Sequence, residues 1–593
     1  MRVCDYIADM IYKAGAEHVF IVTGGGLLFL TDGLASHSKI KAVPCQHEQV
    51  VAMAAASYGE YKGFGCGYVT TGCGGTNAIT GVLHAFQDSI PCMIVSGQCS
   101  TKEIVSSLQV PIRQLGMQEA DIVSIVKPIT KYAKTLTDVN SVVYEVEKAL
   151  YLAKSGRPGP VWLDVPIDIQ SSEVNIDKQR HYIVNNDDKQ KCLDCDVFEI
   201  IEKFKKAKRP VIIAGHGIRL SHANAEFAAF IEKYNIPYVF TKLGYDVYPT
   251  SSSLCAGEIG IRGSRSGNFA LQNADFVLSL GSRLSINATG YNNELFCREA
   301  DVFVVDIDEN EHKKNTVHIE KYINSDVKFL LQKLEQMDVN PFVEWGNICS
   351  NWKKNFPTCT KEMYNDLDGI SMYAFSNELT KYLEDDSTVV TDAGSTFYVI
   401  PQVLELSSKR QRCIQSGGQA EMGFTIPGCI GASFARNCGK VIGIVGDGSF
   451  QMNIQDLQTI RHFNLPIKLF VWNNDGYLSI RGAQKNRFNG RYLGSNRESD
   501  LTLPDLRKIA YAYGIEYIRV DKIKELDTVF TQVLKNNHPV ICEVMCKYDE
   551  WILCTWSKKT LEDGTVIKMP CEDMVPFMDR ETFYKNMIVK PVS

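Results

Sequence analysis

Two apolar, β-branched runs, 441–446 (VIGIVG) and 467–472 (IKLFVW), flank a segment, 454–463, whose apolar residues recur at helical spacing and which Leu465 and Pro466 bring to a stop. Runs of this kind predict buried strands. Strand, helix and strand within about thirty residues predict a βαβ unit, with its two strands parallel and close together. No other feature constrains the chain as much, because this unit fixes which residues meet. Asp447 follows the first strand directly, and Asn473 and Asn474 follow the second. Both therefore emerge at the carboxyl edge of a parallel sheet, where open α/β sheets bind ligands. A carboxylate, an amide oxygen and a free backbone carbonyl suit Mg²⁺, which takes hard oxygen ligands and binds through few protein groups plus phosphates. Gly446, Gly448 and the nearby amides leave room for a diphosphate.

The same alternation recurs along the chain. Its 593 residues predict three or four domains at about 150 residues each. Residues 1–170 alternate helix and strand, with tight turns at 23–26 (TGGG) and 71–77 (TGCGGTN). The polar run 171–196 reads as a linker. A second α/β domain spans 197–337, a second linker 338–369, a third α/β domain 370–567, and a tail 568–593. The fold class is α/β, with three doubly wound parallel-sheet domains.

Lysine plus arginine number 63 against 69 acidic residues, a net charge of −6, so nothing points to a nucleic acid partner. No apolar run approaches the roughly 20 residues that span a membrane. The start, MRVCDYIADMIYKAG, reads as an amphipathic helix rather than a signal peptide. Nineteen cysteines are scattered through a long chain, which fits reduced thiols and a cytoplasmic location. Cys192 and Cys195 form a lone CxxC in a polar segment without a second pair, so neither metal nor redox use is expected of them.

The Gly446-Asp447-Gly448 opening and the Asn473-Asn474 close, at this separation, resemble the thiamine diphosphate motif. His47-Glu48-Gln49, at a strand-to-helix junction upstream of the turn 71–77, looks like the pyrimidine-binding domain of acetolactate synthase and its relatives. There the matching glutamate hydrogen-bonds N1′ of the aminopyrimidine, and the resemblance implies that role for Glu48. Thr71, Gly72, Gly74, Thr76 and Asn77 match the family's Ser/Thr-Gly-Pro-Gly-Ala-Thr-Asn, with Cys73 and Gly75 replacing the proline and the alanine. Gly25 joins the implied cofactor set. Gln118 fits a glutamine the family places beside the cofactor, and Met117 replaces a common phenylalanine next to the substrate.

In the central domain Gly281, Arg283, Thr289 and Gly290 match Gly-x-Arg…Thr-Gly, while Ile286 and Asn287 stand where Asp-Arg is usual. The resemblance implies FAD as a candidate cofactor there. It also implies that Arg283 reaches the active-site channel, where a cation meets a substrate carboxylate. In the diphosphate-binding domain Asp392, Gly394 and Ser395 form the loop over phosphate. QAEMGFTIP (419–427) matches Gly-x-Met-Gly-Phe-Gly-Leu-Pro: Met422 is the residue under the thiazolium, and Ala420, where glycine is usual, offers its carbonyl to the 4′-amine. Asp447, Asn474 and Gly476 are the implied Mg²⁺ ligands, with Gly446, Gly448, Ser449 and Tyr477 in the cofactor set. The tail 568–593 is expected to close over the site.

What the resemblance implies is a thiamine diphosphate- and Mg²⁺-dependent 2-oxo-acid decarboxylating carboligase, acetolactate synthase-like, with pyruvate as donor. Acetolactate synthases carry a tryptophan where Ala483 aligns. Its loss removes an aromatic wall that would bury on the order of 150–250 Å², which favours an acceptor larger than pyruvate, such as a keto sugar. Tyr477 and Arg481 are expected to meet hydroxyls. Acetolactate synthase proper, and a 2-oxo-acid decarboxylase releasing an aldehyde, are open alternatives. A non-catalytic binding subunit is a third, opposed by the intact Glu48, Asp447 and Asn474. In the family Glu48's domain faces the diphosphate-binding domain of another subunit, which implies a homodimer or homotetramer.

Overall fold

A computed structural model describes the chain except residues 109, 185–192, 561–562 and 593. Each domain is one six-stranded sheet, and every pairing inside the three sheets is parallel. The first domain holds β1 (His18–Ile21), β2 (Lys41–Pro44), β3 (Gly65–Val69), β4 (Cys92–Gln98), β5 (Tyr132–Thr135) and β6 (Val161–Pro166), in the order β2-β1-β3-β4-β6-β5. The central domain holds β7 (Pro210–Ala214), β8 (Tyr238–Phe240), β9 (Cys255–Glu258), β10 (Phe276–Leu280), β11 (Asp301–Asp306) and β12 (Lys321–Asn324), in the order β12-β11-β10-β7-β8-β9. The third holds β13 (Thr388–Thr391), β14 (Arg412–Gln415), β15 (Val441–Gly446), β16 (Ile467–Asn473), β17 (Glu516–Val520) and β18 (Val540–Met545), in the order β14-β13-β15-β16-β18-β17.

The first and third sheets thus share one topology, and both reverse direction between their first and third strands. The central sheet has the dinucleotide-binding order, reversing between β7 and β10. At such reversals neighbouring loops diverge and leave a crevice outside the strand ends.

The first and third domains share a core. The Glu48–Lys62 helix lies against the Thr425–Ala435 helix. Small residues let the two backbones approach: a Cβ on Gly431 would stand 2.2 Å from the Ala54 carbonyl oxygen, and Ser57 Oγ donates to the Gly428 carbonyl at 2.7 Å. A second apolar cluster joins the central and third domains, with Phe204 and Phe276 in the same assembly as Phe375 and Phe470.

Three local expectations are corrected. The segment 454–463 is a 3-10 turn, Ile454–Asp456, followed by a shorter α-helix, Leu457–His462. The stretch 338–369 is not simply a linker. It carries the helix Val343–Asn355, whose Trp345 and Trp352 are buried in the central domain's core. The tail 568–593 docks on the central domain: Phe583 packs on Phe269, Glu572 pairs with Arg298 at 2.7 Å, and Asn273 Oδ1 accepts from the amides of Ile588 and Val589. Apolar side chains within these segments decide both cases, because they have a core to enter.

Cys192 lies outside the described residues, and Cys195 is exposed and free. No disulfide forms among the described cysteines. Among the described residues no helix is long and apolar enough to cross a membrane.

Candidate functional site

Residues 441–479 form the expected unit. β15 and β16 pair in parallel over Val441–Gly446 and Ile467–Trp472, so Asp447 and Asn474 emerge side by side at the strand ends. Asp447 is 4 % exposed. Its Oδ2 accepts the amides of Asn474 and Gly476, each at 3.1 Å, and its Oδ1 accepts that of Gly448 at 2.7 Å. Burial pushes this carboxyl up to about 6 against the pull of those amides, because desolvation disfavours the charged form. Asn474 Oδ1 is buried and has no hydrogen-bond partner among the described residues. An orphaned amide oxygen next to an amide-ringed carboxylate is what a hard divalent cation completes, so these residues fit Mg²⁺. Gly476 has φ +131°, and a side chain there would strike the Ser495 carbonyl at 2.4 Å. Only glycine suits that turn.

Asp392 stands at the end of β13, across the reversal from Asp447. It is fully buried, and its carboxylate accepts from the Ala393 amide at 2.6 Å, the Thr425 amide at 3.1 Å and Ser449 Oγ at 2.6 Å. Ser449 Oγ in turn accepts the Gly423 amide at 2.7 Å. Three loops, 391–395, 419–427 and 446–449, are therefore tied at one point. Gly394, at φ +65°, has open space where a Cβ would be, as does Gly446. Gly448 is covered by the Tyr477 ring, which a Cβ would meet at 2.2 Å; Tyr477 is thus a wall of the cradle. Ala420 adopts φ +50°, which explains why glycine suits that position and costs alanine about 1–2 kcal/mol.

In the first domain Glu48 is the first residue of its helix. Its Oε2 accepts from Asn77 Nδ2 at 2.9 Å, and its Oε1 lies 3.5 Å from where a Cβ on Gly74 would sit. Gln118, at φ +60°, has its carbonyl against Gly72 and its Nε2 3.9 Å from Cys73 Sγ. Glu48, Gly72, Gly74, Asn77 and Gln118 are thus gathered around one turn. Thr71 is buried under Gly26. Gly24 and Gly26 make the close approaches to Thr70 and Thr71, while Gly25 faces open space. Met117 is 86 % exposed.

Several residues that sequence reasoning missed join the two domains. Asp456 Oδ1 accepts the Gln46 amide at 3.0 Å. Asn453 Nδ2 donates to Gln49 Oε1 and to the Gly423 carbonyl, both at 2.8 Å. Gln49 lies within the HEQ motif, so proximity to Glu48 was its readable signal. Arg481 corrects an expectation. It is 1 % exposed and turned inward: its guanidinium donates to the carbonyls of Asn474 (3.2 Å), Asp475 (3.4 Å) and Tyr548, and lies 3.7 Å from the Tyr548 ring centroid. It braces the turn at Asn474 and Asp475 and leaves no exposed guanidinium to meet hydroxyls. Ala483 is half-buried on the helix Leu478–Arg487.

In the central domain a cavity of about 460 Å³ opens at the reversal, lined by Gly217 beyond β7 and by Gly281 and Arg283 beyond β10. Its wall includes buried polar atoms without partners among the described residues: both nitrogens of His216, Glu258 Oε2, Asp88 Oδ1 and Gln87 Oε1. Lys242 and Glu258 pair there at 2.7 Å. Arg283 donates to the Gln87 carbonyl at 2.9 Å, which places it at the junction with the first domain. Asn287 lines the cavity, whereas Ile286 is exposed. Thr289 bonds its own helix, and Gly290, at φ +85°, backs onto Cys571 of the docked tail. The topology and the unmet hydrogen-bonding groups fit a nucleotide-like ligand such as FAD.

This architecture, two like-folded sheets that contribute a glutamate-headed helix and an oxygen-lined strand end, with a dinucleotide-type sheet between them, is that of the thiamine pyrophosphate enzymes. The family's N-terminal TPP-binding, central and C-terminal TPP-binding domains match residues 1–125, 197–334 and 392–544. The chain belongs to this family, and within it to the acetolactate synthase-like enzymes that depend on thiamine diphosphate. It is 32 % identical over 551 residues to the acetolactate synthase large subunit of Lactococcus lactis subsp. lactis (strain IL1403), covering 92 % of this chain and 93 % of that one. It is 30 % identical over 577 residues to the chloroplastic acetolactate synthase of Arabidopsis thaliana, covering 93 % and 82 %. The large subunit from Buchnera aphidicola subsp. Acyrthosiphon pisum (strain APS) is 30 % identical over 568 residues, covering 92 % and 95 %.

Proposed function

We propose that the protein is a Mg²⁺- and thiamine diphosphate-dependent carboligase that decarboxylates a small 2-oxo acid, with pyruvate as donor, and joins the remaining acyl unit to a carbonyl acceptor larger than pyruvate. The cofactor, when bound, supplies the nucleophilic carbon and the electron sink for loss of CO₂. The chain's own residues supply the seat. Asp447, Asn474 Oδ1 and the Gly476 carbonyl would hold Mg²⁺, and Gly394, Gly446 and Gly448 leave the diphosphate its space. Glu48 would hold a proton at the pyrimidine N1′, through the Oε1 that Asn77 leaves free. The Ala420 carbonyl would face the 4′-amine, and Met422 would support the ring. Central-domain FAD and an oligomer of at least two chains, with the first domain facing a partner's third, belong to the same reading.

The observation that carries the acceptor size is Ala483. It sits on the helix directly after the metal turn, and the nearby Arg481 is turned inward, so neither residue walls the approach as an indole would. The curated relatives are acetolactate synthases, which favours the second reading: pyruvate as both donor and acceptor. Incubation with pyruvate alone, then with pyruvate plus bulky aldehydes and ketones, separates the two by product mass. Mixed products at the expense of acetolactate are expected. Efficient acetolactate formation that no bulky acceptor diverts would return the protein to acetolactate synthase proper.

A further inference from the structure

His84 and Glu421 meet in the wall between the first and third domains. His84, on the helix Ile79–Asp88, is fully buried; its Nδ1 lies 2.9 Å from Oε1 of Glu421, whose side chain is 7 % exposed. Burial by itself would push the imidazole down. The Glu421 carboxylate, with Asp88 and Glu60 behind it, overrides that and raises it to about 9, while Glu421 is held below its ordinary value. The pair is therefore imidazolium and carboxylate at neutral pH.

What the pair touches gives it a role. The His84 ring stacks on Phe424, centroids 4.4 Å apart and 21° from parallel. One turn further along the same helix, Asp88 Oδ2 accepts the Gly417 amide at 2.8 Å. Glu421 also accepts from Ser416 Oγ, which itself accepts the Ala420 amide at 3.0 Å. Beyond the pair, Gly423 is fastened through its amide to Ser449 and through its carbonyl to Asn453. The loop 416–424 is thus gripped at Gly417, Glu421 and Gly423, and around those points lie Ala420, whose amide is held by Ser416 of the same loop, and Met422, the two assigned to the cofactor. Ala420 holds a left-handed backbone that its side chain disfavours, so an outside constraint has to keep it there.

We propose that His84 and Glu421 are positioning residues: their ion pair clamps the 416–424 loop to the first domain and so sets the Ala420 carbonyl and Met422 for the aminopyrimidine and thiazolium. The proposal rests on the thiamine diphosphate reading of the site. A buried ion pair adds little net stability over a neutral replacement of similar shape, so neutralising both partners disturbs geometry more than folding.

The test is a double-mutant cycle on the full chain: His84→Gln, Glu421→Gln, both together, and His84→Lys, each titrated with thiamine diphosphate in Mg²⁺ by calorimetry, beside wild type and Asp447→Ala. Each single glutamine variant is expected to weaken binding about 10-fold, and the double variant no further, as coupled residues do. His84→Lys, which keeps the cation, is expected to recover most of the loss, with melting temperatures of the unliganded proteins tracking none of these differences. Wild-type affinity in His84→Gln, losses that multiply in the double variant, or a lysine no better than glutamine would overturn the proposal. Should either single variant not fold, the double variant, neutral on both sides, carries the test: wild-type affinity in it overturns the clamp, and a loss restored in His84→Lys supports it. Failure of wild type to bind thiamine diphosphate at all would instead reject the reading of the site.

Discussion

At the ends of β13 and β15 the ligand-facing groups are few and committed. Asp392 and Asp447 are ringed by backbone amides, Asp392 also by Ser449, glycines stand where space is needed, and the amide oxygen of Asn474 has no partner among the described residues. At the ends of β7 and β10 a cavity of about 460 Å³ is lined by groups with unmet hydrogen-bonding capacity: among the described residues His216 has no partner on either ring nitrogen, and Glu258, though paired with Lys242, Asp88, though bonded to the Gly417 amide, and Gln87 each keep one oxygen unpaired. Both crevices sit at a strand-order reversal. The difference lies in how tightly the chemistry specifies the ligand. A diphosphate and a hard cation need fixed oxygens and amides at fixed places, so the motif is short. A large organic ligand would be held by many weak contacts, so the crevice matters more than single positions such as Ile286 and Asn287.

If chemistry belongs to the first crevice and the junction beside it, Glu48→Gln lowers turnover about 10²–10⁴-fold, the range for losing a positioned acid–base group, while calorimetry still finds the cofactor bound. Near-native turnover would remove Glu48 from its role. Asp447→Ala, which takes away the only carboxylate in the Mg²⁺ set, is expected to weaken thiamine diphosphate binding about 100-fold; EDTA is expected to inactivate wild type until Mg²⁺ returns. Undiminished binding by this variant would break the committed side of the comparison. Arg481→Gln sharpens it. With the Asn474 and Asp475 carbonyls no longer braced, the Mg²⁺ concentration for half-maximal activity should rise about 10-fold, as for other supporting residues around a metal, and an unchanged requirement would make Arg481 mere filling.

Asn287→Trp addresses the other crevice. It should empty the central cavity of any flavin, read by absorbance after incubation with FAD, and leave thiamine diphosphate affinity within about twofold, since distant sites act independently. Coupled loss of both would show the crevices to be one system.

The smallest effect expected is a pH dependence at their junction. The groups facing His84 are Glu421 on the gripped loop, Asp88 on its own helix and Glu60 on the Glu48–Lys62 helix. Its folded-state pKa is raised from 6.5 to about 9. The stability this contributes is complete below pH 6.5 and is lost as pH rises through about 9. The melting temperature of wild type relative to the double glutamine variant should therefore fall between neutral pH and about 9, and a difference independent of pH would mean the pair is not charged.

Several features were legible in the residues because their cause is local. Alternating apolar runs with β-branched residues specify parallel strands and hence which loops share an edge; that alone brought Asp447 beside Asn474. A glutamate at a strand-to-helix junction specified Glu48 at a helix start. A glycine-rich turn specified the close approach around Gly72 and Gly74. Whatever depends on partners distant in the chain was decided by the tertiary structure. His84 and Glu421 carry no shared pattern in the sequence; only the packing of the Glu48–Lys62 and Thr425–Ala435 helices brings their elements together. Arg481 reads as a surface cation until Tyr548 and the Asn474 carbonyl surround it. The helix Val343–Asn355 and the segment after Lys568 read as connector and lid because their apolar residues are sparse, and their place on the central domain follows from Phe269, Asn273 and Arg298, which wait there as partners. Backbone geometry is written in neighbouring residues, whereas the burial of a charge or an aromatic ring is written in whichever residues the fold sets against it.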